Sequence, residues 1–340
     1  MKKNILSVLI IGAGQSGLTI ASYLKEAGIP FLLVDQSKRI GDSWRNRYDS
    51  LSLLTPLVED SLPGMSLNGD PMSFPTKDEM ADYLEQYARH FSFPINLNTR
   101  VIKLSKENDL FTIKTNKGQY MAKEVIVATG PFQRPFIPNI PDAVPRRIFQ
   151  IHSQQYKNTR QIPKGRVLVV GAGNSGAQIA MELANTHDVT LSTKRKLIFS
   201  SKYDFLYRVI AKVFKVEAVR KIVDAFTVRK VFVADLEELI KSKKIVLKQE
   251  LKKIEDGKFF FKDKSSAEFD VVVWATGFQF DYSWITLKNA FNKQGDVLHK
   301  NGASFIPGLY FVYPEEAYGF IRDLPKLARL REEELVKKRR

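Results

Sequence analysis

Two stretches of this chain carry the residue types and spacing that hold phosphates. Gly12-Ala13-Gly14-Gln15-Ser16-Gly17 follows the apolar run Val8-Leu9-Ile10-Ile11 and leads into the helical pattern Leu18-Thr19-Ile20-Ala21. Gly171-Ala172-Gly173-Asn174-Ser175-Gly176 follows Arg166-Val167-Leu168-Val169-Val170 and repeats the first loop almost letter for letter. Strand, glycine turn and helix in that order suit a dinucleotide. The first glycine permits the turn, the second lets backbone N–H groups approach a pyrophosphate, and the third allows helix and strand to pack closely. The helix N-terminus adds unpaired N–H donors and a positive dipole end. A glycine turn that serves packing alone has the same letters, so each loop needs support from residues further along its unit.

That support comes from the end of each second strand. Asp35 closes Phe31-Leu32-Leu33-Val34 at about the 20-residue distance of a ribose-binding carboxylate, the alternative being an ordinary strand-end turn residue. An acidic ending favours free ribose hydroxyls, as in FAD or NAD. The second unit ends Val189-Thr190-Leu191-Ser192-Thr193-Lys194-Arg195, with no carboxylate. A carboxylate repels a 2′-phosphate whereas arginine pairs with it bidentately, so NADPH is favoured there over NADH. Two nucleotide units imply chemistry that passes electrons from one nucleotide to the other.

Both loops require a strand before and a helix after, and the patterning supplies them. The unit is duplicated to its far end: Val125-Ile126-Val127-Ala128-Thr129-Gly130 closes the first copy and Val271-Val272-Val273-Trp274-Ala275-Thr276-Gly277 the second, marking an internal repeat. Alternation predicts strands over 101–104, 110–115, 120–127 and 258–262. Thr76 and Glu79 have capping-box spacing before a helix over 77–90, whose stripe of Met80, Tyr83, Leu84 and Tyr87 reads as core. The polar and aromatic stretch 40–56 lacks periodicity and reads as a loop folded over something. Pro131, Pro135, Pro138, Pro141 and Pro145 exclude a helix or central strand and mark a linker or hinge. A basic amphipathic helix is predicted over 204–233, packed on the domain surface or lying on a membrane. A further helix-like segment covers 324–336, before a solvated basic end at 337–340. The fold class is α/β with two dinucleotide-binding, Rossmann-like domains.

Composition narrows the function. The chain has 340 residues, 44% of them apolar, enough for buried cores in about two domains. Met1-Lys2-Lys3 before Ile5–Ile11 imitates a signal peptide, but the run ends in glycines and reads as a first strand. No run reaches the roughly 18 apolar residues of a membrane span, and a cytoplasmic protein is expected. With no cysteine, thiolate metal sites and dithiol chemistry are excluded, and the residues offer no metal, Ser/His/Asp or paired-carboxylate site. The net charge of +16 comes without aromatic-basic interleaving or zinc spacing, so nucleic acid is not expected. Residues 194–253 hold 17 basic and 7 acidic side chains, a local net of +10. Solvated helix faces, cofactor steering and an acidic electron-transfer protein all suit that excess. Nothing in the chain indicates its oligomeric state.

Together, the two Gly-x-Gly-x-x-Gly loops, Gly41-Asp42-Ser43-Trp44-Arg45, Ala128-Thr129-Gly130 and Ala275-Thr276-Gly277-Phe278 resemble the flavin-containing monooxygenases. The likeness is closest to their compact bacterial FAD/NAD(P)-dependent relatives and covers nearly the whole chain. It implies an NADP-binding domain (166–277) inserted into a discontinuous FAD-binding domain (1–145 and 278–340) beyond a Pro-rich linker region (131–165). FAD would lie on Gly12, Gly14, Gln15, Ser16, Gly17, Asp35 and Gln36, with Trp44, Arg45 and Thr55 beside it. The backbone near Val101 would meet the adenine, and Ala128, Thr129 and Gly130 would close that site. NADPH would lie on Gly171, Gly173, Asn174, Ser175 and Gly176, between Thr193, Lys194 and Arg195 on one side and Ala275, Thr276 and Gly277 on the other.

The resemblance implies hydride transfer from NADPH to FAD, then oxygen transfer from a C4a-hydroperoxyflavin to a small-molecule N- or S-nucleophile. The cofactor carries the hard step. Thr55, before Pro56, would hydrogen-bond the peroxyflavin or serve as a turn residue. His152-Ser153-Gln154-Gln155-Tyr156 keeps the second half of the family's linker signature, while Arg146 and Ile148 stand where Phe and Gly would be. His152 would orient NADPH or follow domain motion, or else be a plain surface histidine. Tyr156, where Baeyer-Villiger relatives carry Trp, argues against ketone-to-ester chemistry, and Phe311-Val312-Tyr313 departs from a familiar Phe-Val-Gly. Two other readings remain: a reductase passing electrons to ferredoxin or a quinone, and a non-enzymatic flavoprotein with a structural or sensory nucleotide.

Overall fold

The computed structural model describes residues 5–140, 144–197, 234–300 and 302–312. The helices expected over 204–233 and 324–336, the basic end, Tyr313 and most of the positive 194–253 stretch lie outside those residues.

In chain order the first unit comprises β1 (Ile5–Ile11), α1 (Gln15–Glu26), β2 (Phe31–Val34), two single turns α2 (Asp42–Arg45) and α3 (Leu57–Asp60), α4 (Lys77–His90), β3 (Ile95–Asn96), β4 (Val101–Glu107), β5 (Leu110–Thr115) and β6 (Gly118–Val127). β7 (Arg134–Pro135) and β8 (Phe149–His152) come next, then β9 (Arg166–Val170), α5 (Asn174–Leu183), β10 (Asp188–Ser192), α6 (Ala234–Lys241), β11 (Ile245–Lys248), β12 (Leu251–Glu255), β13 (Lys258–Phe261), β14 (Ser266–Glu268) and β15 (Val271–Trp274). The chain returns through β16 (Phe278–Gln279), β17 (His299–Lys300), β18 (Ala303–Ser304) and β19 (Leu309–Phe311).

β1 is apolar and buried over Val8–Ile11 because there it is paired in parallel on both sides, to β2 and β6, and both of its faces are covered. Its alternation divides the core. Val8 and Ile10 join Leu18 and Leu24 of α1 and Met80 of α4, whereas Leu9 and Ile11 join Leu104, Phe111 and Ile113 of the antiparallel β4–β5 pair. β9 repeats the arrangement: Val167 and Val169 pack with Ile179 and Leu183 of α5, and Leu168 and Val170 with Ile254, Phe259 and Phe261 of the β12–β13 pair. Each such buried Leu or Ile contributes about 1.5–3 kcal/mol. The duplication read from the sequence is therefore a duplication of layers: helices, parallel sheet, antiparallel sheet.

The nine-stranded first sheet runs β17-β18-β19-β6-β1-β2-β3, with β5 pairing β6 and β4 pairing β5; the second runs β11-β10-β9-β15-β8. β19 lies parallel beside β6 although the whole second sheet intervenes in sequence, so the second Rossmann-like unit is inserted into the first. The proline-rich stretch is not strand-free. β7 pairs with β16 where the chain leaves and re-enters the first unit, and β8 forms an edge of the second sheet, the place where nearby prolines do least harm.

Local signals explain the element ends. The Thr76–Glu79 capping box opens α4 and its apolar stripe is buried as expected. α1 ends in a Schellman pair, with Gly28 N–H on Lys25 O at 3.0 Å and Ile29 N–H on Leu24 O at 2.9 Å, Gly28 taking φ +68°. The 40–56 stretch, expected to be a loop, contains α2. Four residues are too few to show periodicity, and the turn is set instead by Gly41, at φ +87°, where a Cβ would come within 2.4 Å of Ala81 O. Among the described residues no helix is long and apolar enough to cross a membrane, and no group of three or more side chains could hold a metal.

A Cβ built on Gly17 or Gly176 would lie 1.9 Å from the carbonyl oxygen of Gly12 or Gly171. Gly17→Ala and Gly176→Ala should each lower stability by about 2–4 kcal/mol, read from urea unfolding midpoints.

Candidate functional site

The two glycine loops are built alike. Gly12 N–H donates to Val34 O at 2.8 Å and Gly171 N–H to Ser192 O at 2.9 Å, turning each chain over its second strand. Ala128 N–H donates to Ile11 O, and Ala275 N–H to Val170 O, both at 2.8 Å. These bonds seat each Ala-Thr-Gly end so close to its loop that a Cβ on Gly12 or Gly171 would meet Ala128 O or Ala275 O at 2.4 Å. The central glycines differ. Gly14 and Gly173 have ordinary φ of −82° and −74°, and a Cβ on either would meet nothing within 4 Å. Neither backbone conformation nor packing asks for glycine there, and the space outside each loop is open to a ligand. Both residues are N-caps without a side-chain cap, so no capping side chain occupies the first N–H donors of α1 and α5. The residues present therefore fit a dinucleotide pyrophosphate at each loop.

Around the first loop, Asp35 is half-buried. Its Oδ2 accepts Ala13 N–H and its Oδ1 accepts Ser37 N–H, both at 2.7 Å, so the carboxylate ties the loop to the strand end and opens a turn. Each oxygen keeps a further lone pair. Gln36 is exposed beside it, and Gln15 and Ser16 begin α1. Thr99 N–H donates to Asp35 O at 2.7 Å and Asn98 N–H to Ser37 O at 2.9 Å, which brings Val101, at the start of β4, to the same edge. Trp44 is half-buried against the helical layer. Arg45 is engaged elsewhere: its guanidinium reaches Asp82 at 2.7 Å, Glu85 at 3.1 Å and Ile40 O at 2.5 Å, fastening α2 to α4. Thr55 donates its hydroxyl to Asp60 Oδ1 at 2.7 Å, the bond of a turn residue ahead of α3.

In the second unit Thr193 occupies the place of Asp35. Its Oγ1 donates to Arg195 O at 2.7 Å, and Lys194 and Arg195 are exposed beyond β10. Asn174 and Ser175 open α5.

The two Ala-Thr-Gly ends meet at one laced seam. Gly130 and Gly277 turn at φ +69° and +85°. Gln133 Nε2 donates to Thr129 Oγ1 at 2.9 Å and to Gly130 O at 2.8 Å, while its Oε1 accepts Asp281 N–H at 2.7 Å. Thr276 donates to Phe136 O, and Gly277 O accepts both Phe136 N–H at 3.0 Å and His152 Nε2 at 3.1 Å. His152 is not a surface residue. It is 3% exposed at the end of β8, with Nδ1 accepting Gln154 N–H at 3.1 Å, so the network assigns its proton to Nε2. Burial lowers its pKa and Arg47 lowers it further, against the opposing pull of Gly277 O. Tyr156 is fully buried, and burial followed by the nearby Glu182 carboxylate raises the pKa of its phenol.

Sequence reasoning missed the segment just after Arg45. Tyr48 OH donates to Gln178 Oε1 at 2.8 Å, Ser50 Oγ to Glu182 Oε2 at 2.6 Å, and Gln178 Nε2 to Ser52 O at 3.0 Å. Arg47 Nη2 lies 3.5 Å from Ser175 Oγ. Residues 47–52 of the first unit thus lie along one face of α5. The available signal was the polar stripe Ser175, Gln178 and Glu182 at helical spacing, on a helix otherwise apolar.

The family model described as pyridine nucleotide-disulphide oxidoreductase matches residues 9–312. The chain is 44% identical over 318 residues to the "Uncharacterized oxidoreductase CzcO-like" of Geobacillus kaustophilus, covering 91% of each chain. It is 40% identical over 311 residues to the "Uncharacterized oxidoreductase CzcO" of Bacillus subtilis, covering 89% of this chain and 90% of that one. Among solved structures, the flavin-containing monooxygenase from Stenotrophomonas maltophilia has the same fold, with a TM-score of 0.80 at 23% identity over 99% of this chain and 100% of that one.

Gly14→Ala and Gly173→Ala should leave the unfolding midpoint within about 0.5 kcal/mol of wild type, while each weakens a different dinucleotide in equilibrium titrations. His152 should shape the acid limb of stability. Above about pH 6.5 it is neutral folded or unfolded and contributes nothing. Below that value the unfolded chain takes up a proton that the buried ring resists, so stability falls by up to about 1.4 kcal/mol per pH unit until the lowered native pKa is reached. Urea titrations of wild type and His152→Gln between about pH 7 and 5 should show a shallower decline in the variant.

Proposed function

The chain belongs to the pyridine nucleotide-disulphide oxidoreductase family, and from that premise we propose that it is an NADPH-dependent flavin monooxygenase acting on a small N- or S-nucleophile. The observation that carries this reading is the pair of open central glycines, Gly14 and Gly173, at uncapped helix starts in two units whose Ala-Thr-Gly ends are laced together. We assign FAD to the first unit (1–145 and 278–340) and the pyridine nucleotide to the second (166–277), with 131–165 between them. When bound, the two cofactors supply hydride transfer and the activation of oxygen.

The chain's own work is to bind, orient and exclude water. The first N–H groups of α1 and α5 receive the phosphates, and Asp35 offers its remaining lone pairs to ribose hydroxyls. Arg195, where a carboxylate is absent, is assigned to the 2′-phosphate. The seam through Gln133, Phe136 and His152 fixes how the two loops face one another. His152, held neutral with Nε2–H on Gly277 O, acts as a brace for the second Ala-Thr-Gly end. With no cysteine in the chain, no protein thiol is present for the disulphide chemistry in the family's description.

Anaerobic titration with NADPH should bleach the flavin spectrum, and admitting isotopically labelled dioxygen with a sulfide or amine substrate should place one labelled oxygen in the product. Peroxide release with fast turnover on ferredoxin or a quinone would replace this reading with the reductase, and failure of either nucleotide to reduce the flavin would sink both. Arg195→Ala should weaken NADPH by about 10- to 100-fold, the loss of a charge-assisted hydrogen bond, and leave NADH unchanged. Equal losses would remove the 2′-phosphate from Arg195.

A further inference from the structure

Arg47 is a cation without a counter-ion. It is half-buried, its guanidinium 4.4 Å from the Phe132 ring centroid and 5.8 Å from that of Phe278, and its Nε is enclosed with no hydrogen-bond partner. Among the described residues no carboxylate pairs with it. The titratable groups acting on or beside it are Tyr48, whose phenol favours the charged guanidinium but is itself held neutral by burial, and His152 and Lys157, neither of which can neutralise it. Burial lowers its pKa. The aromatic rings engage the flat face of the guanidinium and leave its in-plane N–H donors pointing elsewhere: Nη2 makes one long bond, 3.5 Å, to Ser175 Oγ, and Nε makes none. Arg45, two residues earlier, shows how the same segment treats an arginine that holds the fold together: Asp42, Asp82 and Glu85 all lie within 4 Å of it.

The hydrogen bond from Nη2 to Ser175 Oγ points to the reason. Ser175 is the second residue of α5, so Arg47 stands over the uncapped, positively polarised start of that helix and beside the open face of Gly173. Two positive ends brought together, with the guanidinium half-buried, oppose each other unless an anion joins them. The bonds from Tyr48, Ser50 and Ser52 to Gln178 and Glu182 hold Arg47 there from the opposite unit.

We propose that Arg47 completes the phosphate site of the second unit, its guanidinium receiving the pyrophosphate of the pyridine nucleotide that lies on Gly173 and the start of α5. This rests on the assignment of that nucleotide to the second loop. The target is the pyrophosphate and not the 2′-phosphate, because Ser175 lies at the helix start whereas Arg195 lies beyond the end of β10. The nucleotide is thereby gripped from both units: by α5 from below and by the 47–52 segment from above.

The test is calorimetric titration of the flavin-loaded protein with NADP+ and with NAD+, alongside the melting temperature with and without nucleotide. R47Q should weaken both nucleotides by the same factor, about 10- to 100-fold, and remove most of the nucleotide-induced rise in melting temperature without lowering the melting temperature of the nucleotide-free protein. Unchanged binding of both, with a lower melting temperature, would make Arg47 a packing residue only and overturn the inference while the proposed function stands. A loss confined to NADP+ would also overturn it. If wild type binds neither nucleotide, the assignment beneath it falls as well. Should R47Q not fold, R47K keeps the charge but not the fork: equal weakening of both nucleotides supports the inference, and wild-type affinity for both overturns it.

Discussion

The carbonyl oxygen of Ala128 stands so close to Gly12 that a Cβ there would come within 2.4 Å, and Ala275 stands in the same relation to Gly171. That contact is a strand end pressed into a turn, and much else depends on it. It seats β6 beside β1 and β15 beside β9 at the level where each loop leaves its sheet. It also forces a glycine at the first loop position. The following helix must then start over the carbonyl of that first glycine, Gly12 or Gly171, which forces a second glycine at Gly17 and Gly176. Two of the three glycines in each loop are consumed by the protein's own packing, so only the middle one reports on what lies outside it.

The insertion of one such unit into another creates a second constraint. A chain that leaves the first sheet after β6 and returns at β19 must cross the gap twice, and the crossings are made rigid side by side. β7 pairs with β16 immediately after the two Ala-Thr-Gly ends, and Gln133, Phe136, His152 and Gly277 bind across them. The 47–52 segment adds a separate attachment on α5. The units are therefore joined by directional hydrogen bonds as well as by a continuous apolar core that includes Tyr48, Tyr156 and Ile179.

What the sequence made legible and what it hid divide along physical lines. The loops, the repeat and the α4 capping box were readable because each is a local pattern whose residues touch one another within a few positions. β7 and β16, at two residues each, are too short to alternate and exist only through each other. α2 is set by the approach of Gly41 to α4, a contact between segments about forty residues apart. A plain surface histidine stood beside the functional readings of His152 because its shielding comes from Phe278 and Gly277, far along the chain. Arg45 matched a motif and proved to be engaged by α4, while Arg47, which matched nothing, stands over the second loop. A motif records which residue types recur; the partner that decides what an arginine does is a matter of tertiary placement.

The same backbone cradle is given two electrostatic characters by one residue. After Val34 the chain places Asp35, whose carboxylate draws Ala13 N–H inward and holds the loop closed on its own strand. After Ser192 it places Thr193, whose hydroxyl turns instead to Arg195 O. The first loop thus carries an internal negative charge at its edge, whereas Lys194 and Arg195 follow the end of β10 and the Arg47 guanidinium reaches Ser175 at the start of α5. A dinucleotide with a bare ribose is compatible with the first edge and a more highly charged one with the second, because the Coulomb term changes sign while the N–H geometry stays fixed. The duplicated units are thus equal backbone frames that differ in the side chains at the ends of β2 and β10 and in the one arginine that the first unit holds over the start of α5.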